Sequence, residues 1–361
     1  MEVGAIVIVE TGSGGGDRPS DFRDQSIAAR LADGPLPFVD LLGQSVLERN
    51  IELFLAAKPR ATSLVVQARA LPELPIFRRS FPDLNVRVTD EIWPAVAQTL
   101  KSYSEDGIRC AFIAKPSAYL EPEMPDMVEF HSEGDRSVTR ASDRDGPLDF
   151  WVADCETEGQ KNGAALKLAL TDPDFLPASY FVRQYVKRID EPEDCRQLVT
   201  DALLSRSSMR PFGQQIRPGV WADEDVQIRR GARIVGPAYL GRQCVIGESA
   251  LITRCSNIET CSFVDYGTAI EDSSVLPNTY VGMWLDVRHS VLNANKLLSL
   301  ERGVMVEISD PNLLRSNVVG GKINRRPFVE PETLRAKRSL ADSQSYRTNV
   351  QPVKTTTEFE S

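Results

Sequence analysis

Aliphatic residues recur at every sixth position through the middle of the chain. They are Ile228, Ile234, Leu240, Ile246, Ile252, Ile258, Val264, Ile270 and Leu276. Two residues before each of them lies a second column of mostly small side chains: Val226, Ala232, Ala238, Cys244, Ala250, Ser256, Ser262, Thr268 and Ser274. A helix repeats about every 3.6 residues and a strand about every two, so neither element explains this spacing.

The period of six predicts a hexapeptide β-helix, in which three hexapeptides form one triangular coil and each sixth residue points inward. The aliphatic column then fills the interior, and the small column lets the chain turn. Residues 18 apart are expected to stack about 4.8 Å from one another. The expected ladders are Ile228 with Ile246 and Val264, and Ile234 with Ile252 and Ile270.

The first 155 residues alternate between apolar runs and segments with helical spacing. Strands are predicted at 4–10, 62–68, 85–90, 109–114 and 148–154, and helices at 45–57, 92–103 and 124–133. Continuous apolar runs are typical of parallel strands that are buried on both faces. The alternation predicts a doubly wound α/β sheet.

The whole chain is therefore expected to be α/β plus β-solenoid, in four regions. These are an α/β domain at 1–155, a helical connector at 156–213, a β-helix with its C-terminal cap at 214–312, and a mobile polar tail at 313–361. Helices are predicted within the connector at 177–189 and 194–206.

The composition excludes several classes of protein. Of 361 residues, 42% are hydrophobic and 26% are charged, and the formal charge of −9 argues against a nucleic-acid or anionic membrane surface. No apolar run is long enough to span a membrane, and the start of the chain lacks a signal-peptide pattern, so a cytoplasmic location is expected. The six cysteines include no CxxC pair, and no metal ligand is assigned.

A glycine-rich loop follows the first predicted strand, in the stretch ETGSGGGDRPSDF. In α/β folds such loops bind phosphates through backbone amides. The candidate nucleotide-binding residues are Gly12, Gly14, Gly15, Gly16 and Arg18. The loop matches neither a Walker A nor a GxGxxG motif, so a flexible surface loop is the alternative.

Two further stretches resemble the sugar-1-phosphate nucleotidyltransferases. The segment LPFVDLLGQSVLERNIELFLAA (36–57) is similar to the one that follows the signature loop of that family, and MVEFH (127–131) is similar to a helix end after its metal-binding aspartate. With the repeat, the chain to about residue 312 resembles family members that carry a left-handed β-helix. The resemblance implies a nucleotide or sugar phosphate as ligand, a role in sugar-nucleotide supply for polysaccharide synthesis, and Mg²⁺ if the site is active.

The resemblance is weakest at the catalytic positions. Leu36 and Gln44 stand where the family has lysines, and Ser117 stands near the place of its magnesium-binding aspartate. Lys115 takes a position where asparagine is usual. Because nucleotidyl transfer depends on charge stabilisation by basic residues and a metal, weak turnover is expected.

Two other functions stay open from the sequence. One is a non-catalytic sugar-nucleotide-binding protein or assembly scaffold. The other is a hexapeptide acyltransferase, for which His289 is the candidate base because His131, the other histidine, belongs to a helix of the sheet domain. A homo-oligomer is also expected, through flat faces of the coils that carry Tyr239, Phe263 or Tyr266.

Overall fold

The computed structural model describes residues 2–10, 36–73, 77, 81–134, 136–172, 178–319 and 322–323. The glycine-rich loop with Gly12, Gly14, Gly15, Gly16 and Arg18 lies outside the described residues, and so do residues 324–361 of the tail predicted at 313–361. The first part of that predicted tail, 313–323, contains three short strands.

The N-terminal part of the chain contains a mixed sheet with helices on both faces. The strands of this part of the chain, inside and outside that sheet, are β1 (Val3–Val9), β2 (Asp40–Leu41), β3 (Gln44–Ser45), β4 (Ala61–Gln67), β5 (Leu84–Thr89), β6 (Cys110–Ala114), β7 (Ala118–Leu120), β8 (Val138–Asp143), β9 (Gly146–Asp154), β10 (Ala178–Phe181) and β11 (Val186–Arg188). The helices are α1 (Val46–Ala56), α2 (Ile92–Glu105), α3 (Met124–Glu133), α4 (Cys155–Gly159), α5 (Gly163–Thr171) and α6 (Pro192–Leu203).

Seven strands form the central sheet in the order β10-β8-β9-β6-β1-β4-β5. Strand β9 runs antiparallel to β6 and β8, and the other neighbours are parallel. From β1 the chain proceeds outward to β4 and β5, and then returns to β6 on the other side of β1. In open α/β sheets such a reversal marks the crevice where ligands bind, which here is the edge at the carboxyl ends of β1 and β6.

Two apolar cores cover the faces of this sheet. Helices α1 and α3 lie on one face, where Phe54, Phe112 and Phe150 pack together with ring centroids 5.7 to 6.0 Å apart. Helices α2, α4 and α5 cover the other face around Trp151, whose indole N–H donates to the Leu170 carbonyl at 2.8 Å. The alternating strands and helices predicted for the first 155 residues are confirmed, with boundaries shifted by only a few residues.

The helix predicted for 177–189 is wrong, because this segment contains strands β10 and β11. Tyr180 and Val182 are buried whereas Phe181 between them is exposed, which is the alternation of a strand. Since β10 pairs with β8, the sheet extends past residue 155. The second connector helix is confirmed as α6.

The C-terminal part consists of short strands. They are β12 (Gln214–Arg217), β13 (Val220–Ala222), β14 (Gln227–Ile228), β15 (Arg233–Ile234), β16 (Ala238–Leu240), β17 (Val245–Ile246), β18 (Leu251–Thr253), β19 (Ser256–Ile258), β20 (Phe263–Val264), β21 (Ala269–Glu271), β22 (Ser274–Val275), β23 (Thr279–Val281), β24 (Asp286–Arg288), β25 (Ser290–Asn293), β26 (Lys296–Ser299), β27 (Val304–Glu307), β28 (Leu314–Ser316), β29 (Val318–Val319) and β30 (Lys322–Ile323).

From β13 to β25 every third strand belongs to the same sheet, so the chain passes through three sheets in turn. Within each sheet these strands pair in parallel. The predicted partners are confirmed: Ile234 pairs with Ile252 and Ile252 with Ile270, and Ile228, Ile246 and Val264 pair in the same way. After β25 the sheet continues with the antiparallel strands β26 and β27.

The predicted register is wrong at Leu276 and Ser274. Beyond β21 the partners lie 17 residues apart, so Val275 pairs with Ile258 and takes the interior position. Leu276 is buried in a separate cluster with Val291 and Leu298. The repeat has lost one residue near Asp272, which a count in steps of six does not detect.

All six cysteines are free and buried, and Cys244 is fully enclosed in the interior of the repeat. No helix among the described residues is long and apolar enough to cross a membrane.

Candidate functional site

The crevice at the sheet's reversal holds an ion pair. Glu10 directly follows β1 and Lys115 directly follows β6, and Lys115 Nζ lies 3.1 Å from Glu10 Oε2. The two side chains are 19% and 18% exposed, so the pair is largely withdrawn from water. Lys115 Nζ also lies 5.1 Å from the ring centroid of Trp93, at the start of α2. A lysine ammonium is therefore fixed at the expected ligand-binding edge of the sheet.

A second group of charged side chains lies beside this pair. Asp149 on β9 accepts hydrogen bonds from Ser117 Oγ and from Arg140 Nη2, each at 3.2 Å. The backbone N–H of Lys115 donates to the Asp149 carbonyl at 2.9 Å, so the two groups are in contact. Burial lowers the pKa of Arg140, and the Asp149 carboxylate opposes this shift. The carboxyl group nearest Ser117 therefore comes from a neighbouring strand.

The sequence alone does not indicate that Asp149 lies beside Ser117, because their contact depends on the antiparallel pairing of β6 with β9. The turn of the β8–β9 hairpin consists of Arg144 and Asp145, and the Asp-Gly dipeptide that ends it, with Gly146 at a φ of +124°, is a sequence signal for a hairpin. That signal predicts the pairing of β8 with β9, which brings Arg140 beside Asp149.

The described residues do not fit the magnesium ion that the family resemblance implies. Glu10 is paired with Lys115 and Asp149 with Arg140, so each nearby carboxylate already has a cationic partner. Among the described residues, no three His, Cys, Asp or Glu side chains come together to hold a metal. Asp126 accepts a hydrogen bond from Tyr180, and Asp154 caps α4 by accepting from the Thr157 N–H.

The second position where the family has a lysine lies away from the crevice. Gln44 is buried beside α1, and its Nε2 donates to Glu52 at 2.9 Å. Gln44 also lines a cavity of about 890 Å³ between the sheet region and the first strands of the repeat region. Glu52, Glu121, Asp223, Glu224, Arg49 and Arg210 are the charged residues around it.

The contact between the sheet region and the repeat region buries Tyr239. This side chain is fully enclosed in a cluster with Leu41, Leu42 and Leu198. Phe263 and Tyr266 are 3% and 6% exposed. The aromatic rings that the sequence suggested for a homo-oligomer interface are thus buried within the chain.

His289 lies at a turn of the repeat and is held by a carboxylate. Its Nδ1 is 2.6 Å from Asp272 Oδ2, and Asp272 Oδ1 is 2.8 Å from Arg196 Nη2 of α6. The His289 side chain is half exposed. Burial raises the pKa of Asp272, but the hydrogen bonds from His289 and Arg196 outweigh it and leave that pKa below its usual value.

His131, in contrast, lies in the interior of the sheet region. It is buried on α3 with its Nδ1 2.9 Å from Thr139 Oγ1. Burial lowers its pKa, which keeps the imidazole neutral near pH 7. Of the two histidines, His289 is the one that solvent reaches.

Neither the known protein families nor the curated proteins provide a match to this sequence.

Proposed function

We propose that this protein binds a nucleotide or sugar nucleotide in the crevice at the ends of β1 and β6, as a sugar-1-phosphate nucleotidyltransferase-like protein with weak turnover. In this proposal the repeat region is a left-handed β-helix. The observation that carries the proposal is the placement of Lys115 at the point where the strand order reverses. In the sequence, the glycine-rich stretch comes directly after Glu10.

Weak turnover follows from the side chains at this edge. Ser117 supplies no carboxylate, and Asp149 is engaged by Arg140. Loss of a lysine and of a metal-binding carboxylate together removes several kcal/mol of transition-state stabilisation, and about 1.36 kcal/mol corresponds to a factor of ten in rate. Binding through backbone amides and Lys115 does not require those groups.

Calorimetry with nucleoside triphosphates and sugar nucleotides, together with a pyrophosphate-release assay, tests the proposal. We expect measurable binding and slow release from triphosphate and sugar 1-phosphate. The double variant Gly14→Val and Gly15→Val should lose binding, because the added side chains separate the phosphates from the amides. Binding without any release would favour a non-catalytic sensor or scaffold. Fast release would contradict weak turnover, and no binding would refute the proposal.

A second candidate function, acyl transfer, is favoured by the contact between His289 and Asp272. A carboxylate at Nδ1 orients an imidazole and favours the tautomer in which Nε2 accepts a proton. Acetyl-CoA binding and thioester cleavage test this candidate. His289→Ala should abolish both the cleavage and its dependence on pH, whereas His131→Ala should change only stability.

The cytoplasmic location and the homo-oligomer also stay predictions. Light scattering that gives a 40.0 kDa particle would contradict the homo-oligomer.

A further inference from the structure

We infer that the crevice binds the phosphates of its nucleotide without a divalent metal, with Lys115 as the cation and Glu10 as the counter-ion that the phosphates displace. This inference rests on the proposed function and specifies how that site recognises its ligand. Its basis is the disagreement between the magnesium that the resemblance implies and the side chains that the crevice holds.

The position of Lys115 supports a direct role for its ammonium. It follows the last residue of β6, and its partner Glu10 follows the last residue of β1, so both lie at the carboxyl ends of these neighbouring strands. Lysine binds phosphate as a compact point charge, and it needs no second ligand to do so. The carboxylate beside it, that of Glu10, is engaged by this ammonium and not by a metal.

Glu10 and Trp93 have different effects on Lys115. The Glu10 carboxylate neutralises the ammonium at 3.1 Å and competes with any incoming anion. The face of Trp93, 5.1 Å from Nζ, attracts the ammonium without neutralising it. When a phosphate replaces Glu10, the ring still holds Lys115 in place. Removing the Glu10 charge should therefore strengthen phosphate binding.

Asp149 does not take over from Glu10 as a competitor. Its carboxylate is engaged by Arg140 and by Ser117, each at 3.2 Å. Arg140 is in turn fixed by a hydrogen bond from Nε to the Leu148 carbonyl at 2.8 Å, and its guanidinium lies 5.2 Å from the Trp151 ring centroid. Of the two ion pairs, Arg140–Asp149 and Lys115–Glu10, the second consists of the residues that directly follow β6 and β1.

The test is calorimetric titration of the full chain with ADP, UDP, GDP, CDP and dTDP, in EDTA and in excess Mg²⁺. For the diphosphate that binds most tightly, we expect dissociation constants that agree within about twofold in the two buffers. Lys115→Met should weaken binding by about tenfold or more, and Lys115→Arg should keep most of it. Glu10→Gln should tighten binding by roughly threefold to tenfold, since it removes a partly buried competitor.

Lys187→Met provides the matched control. Lys187 forms a similar ion pair with Asp194 at 2.7 Å, with side chains 26% and 23% exposed, and it belongs to β11 and not to the central sheet. This variant should bind diphosphate like the wild type. Thermal melting of each variant checks that it folds. If Lys115→Met does not fold, Glu10→Gln still tests the inference.

The outcomes separate the inference from the proposed function. Binding that requires Mg²⁺, or binding indifferent to Lys115→Met and Glu10→Gln, overturns the inference and leaves nucleotide binding intact. Absence of diphosphate and triphosphate binding in both buffers overturns the two together. The inference and the proposed function are both supported if the wild type binds diphosphate equally in EDTA and in Mg²⁺, Lys115→Met loses this binding and Glu10→Gln strengthens it.

Discussion

The backbone N–H of Leu42 donates to the carboxylate of Glu259 at 2.7 Å, although 217 residues separate the two in sequence. Gly43 N–H donates to the other carboxylate oxygen at 3.1 Å, and Asn257 Nδ2 donates at 2.7 Å. Glu259 is fully buried, so the sheet region and the repeat region meet at a carboxyl group shielded from water. This contact makes the stability of their interface dependent on pH.

Stability should decrease as pH rises from about 4.5 to about 8. Burial raises the pKa of Glu259 from 4.5 to about 8, an effect that the Asp40 charge increases and the three N–H donors reduce. Over that range the folded state keeps a proton that the unfolded state has released, so raising the pH favours unfolding. We expect a loss on the order of 2 kcal/mol, measured by urea unfolding across the range.

Glu259→Gln is the matching variant for this pH dependence. Its amide cannot ionise, so its stability should change less between the two ends of the range. It should also be less stable than the wild type at the acidic end by about 1 kcal/mol, because its NH₂ group opposes one of the two backbone donors. An equal pH dependence in both proteins would show that Glu259 is not the titrating group.

The ladder of Ile234, Ile252 and Ile270 gives a second prediction. Ile252 has no exposed surface and pairs with the other two. Ile252→Asp would place an unpaired charge in the dry interior of the repeat region, which should cost more than about 4 kcal/mol and prevent soluble folding. Val235→Asp is the control, since Val235 is 45% exposed and should accept a carboxylate. Similar melting of the Ile252 variant and the wild type would contradict the ladder.

The repeat could be predicted from the sequence because the residues that point inward are apolar or small and recur at a fixed spacing along the chain. The same count failed at Leu276, where one residue is missing from a turn and Val275 takes the interior place. A step of six finds columns of residues, but it does not count the residues in each turn. Only the pairing of Ser274 with Asn257 and of Val275 with Ile258 reveals the change.

The candidate site was less predictable, because its partners lie far apart in sequence. In the sequence Lys115 stands where the resembled family has asparagine, but its pairing with Glu10 depends on β1 and β6 being neighbours. The contact of Asp149 with Ser117 depends on the antiparallel pairing of β6 with β9. Likewise Tyr239 has the period of an outward-facing residue, and only the packing of Leu42 against it shows that it is buried.

Gly43 gives a third prediction. Its φ of +86° favours glycine, and a Cβ there would lie 2.3 Å from Tyr239 Oη and 2.8 Å from Phe212 Cβ. Gly43→Ala should destabilise the protein by about 2 to 4 kcal/mol through strain and crowding. Gly303→Ala separates the two effects, because Gly303 has a φ of +60° but nothing within 4 Å of its added Cβ. That control should cost only about 1 kcal/mol. Equal losses in thermal melting would mean that the interface does not crowd Gly43.

The last prediction concerns the ion pair between Arg196 of α6 and Asp272 of the repeat region. The Arg196 side chain is 5% exposed, and its Nε and Nη1 have no hydrogen-bond partner within the part of the chain that the structure describes. Asp272→Asn should therefore leave a buried guanidinium without its counter-ion and cost about 2 kcal/mol, less than for a fully buried pair because Asp272 is 40% exposed.

Arg196→Met removes the charge and keeps most of the apolar contact, so the double variant should be no less stable than Asp272→Asn alone. Urea unfolding of the four proteins measures this coupling, which we expect at about 1 to 2 kcal/mol. Because the pKa of Asp272 is lowered, its stabilisation is present above about pH 4 and is lost as pH falls through the folded pKa. Additive effects of the two substitutions would show that α6 is held to the repeat region by its apolar contacts and not by this ion pair.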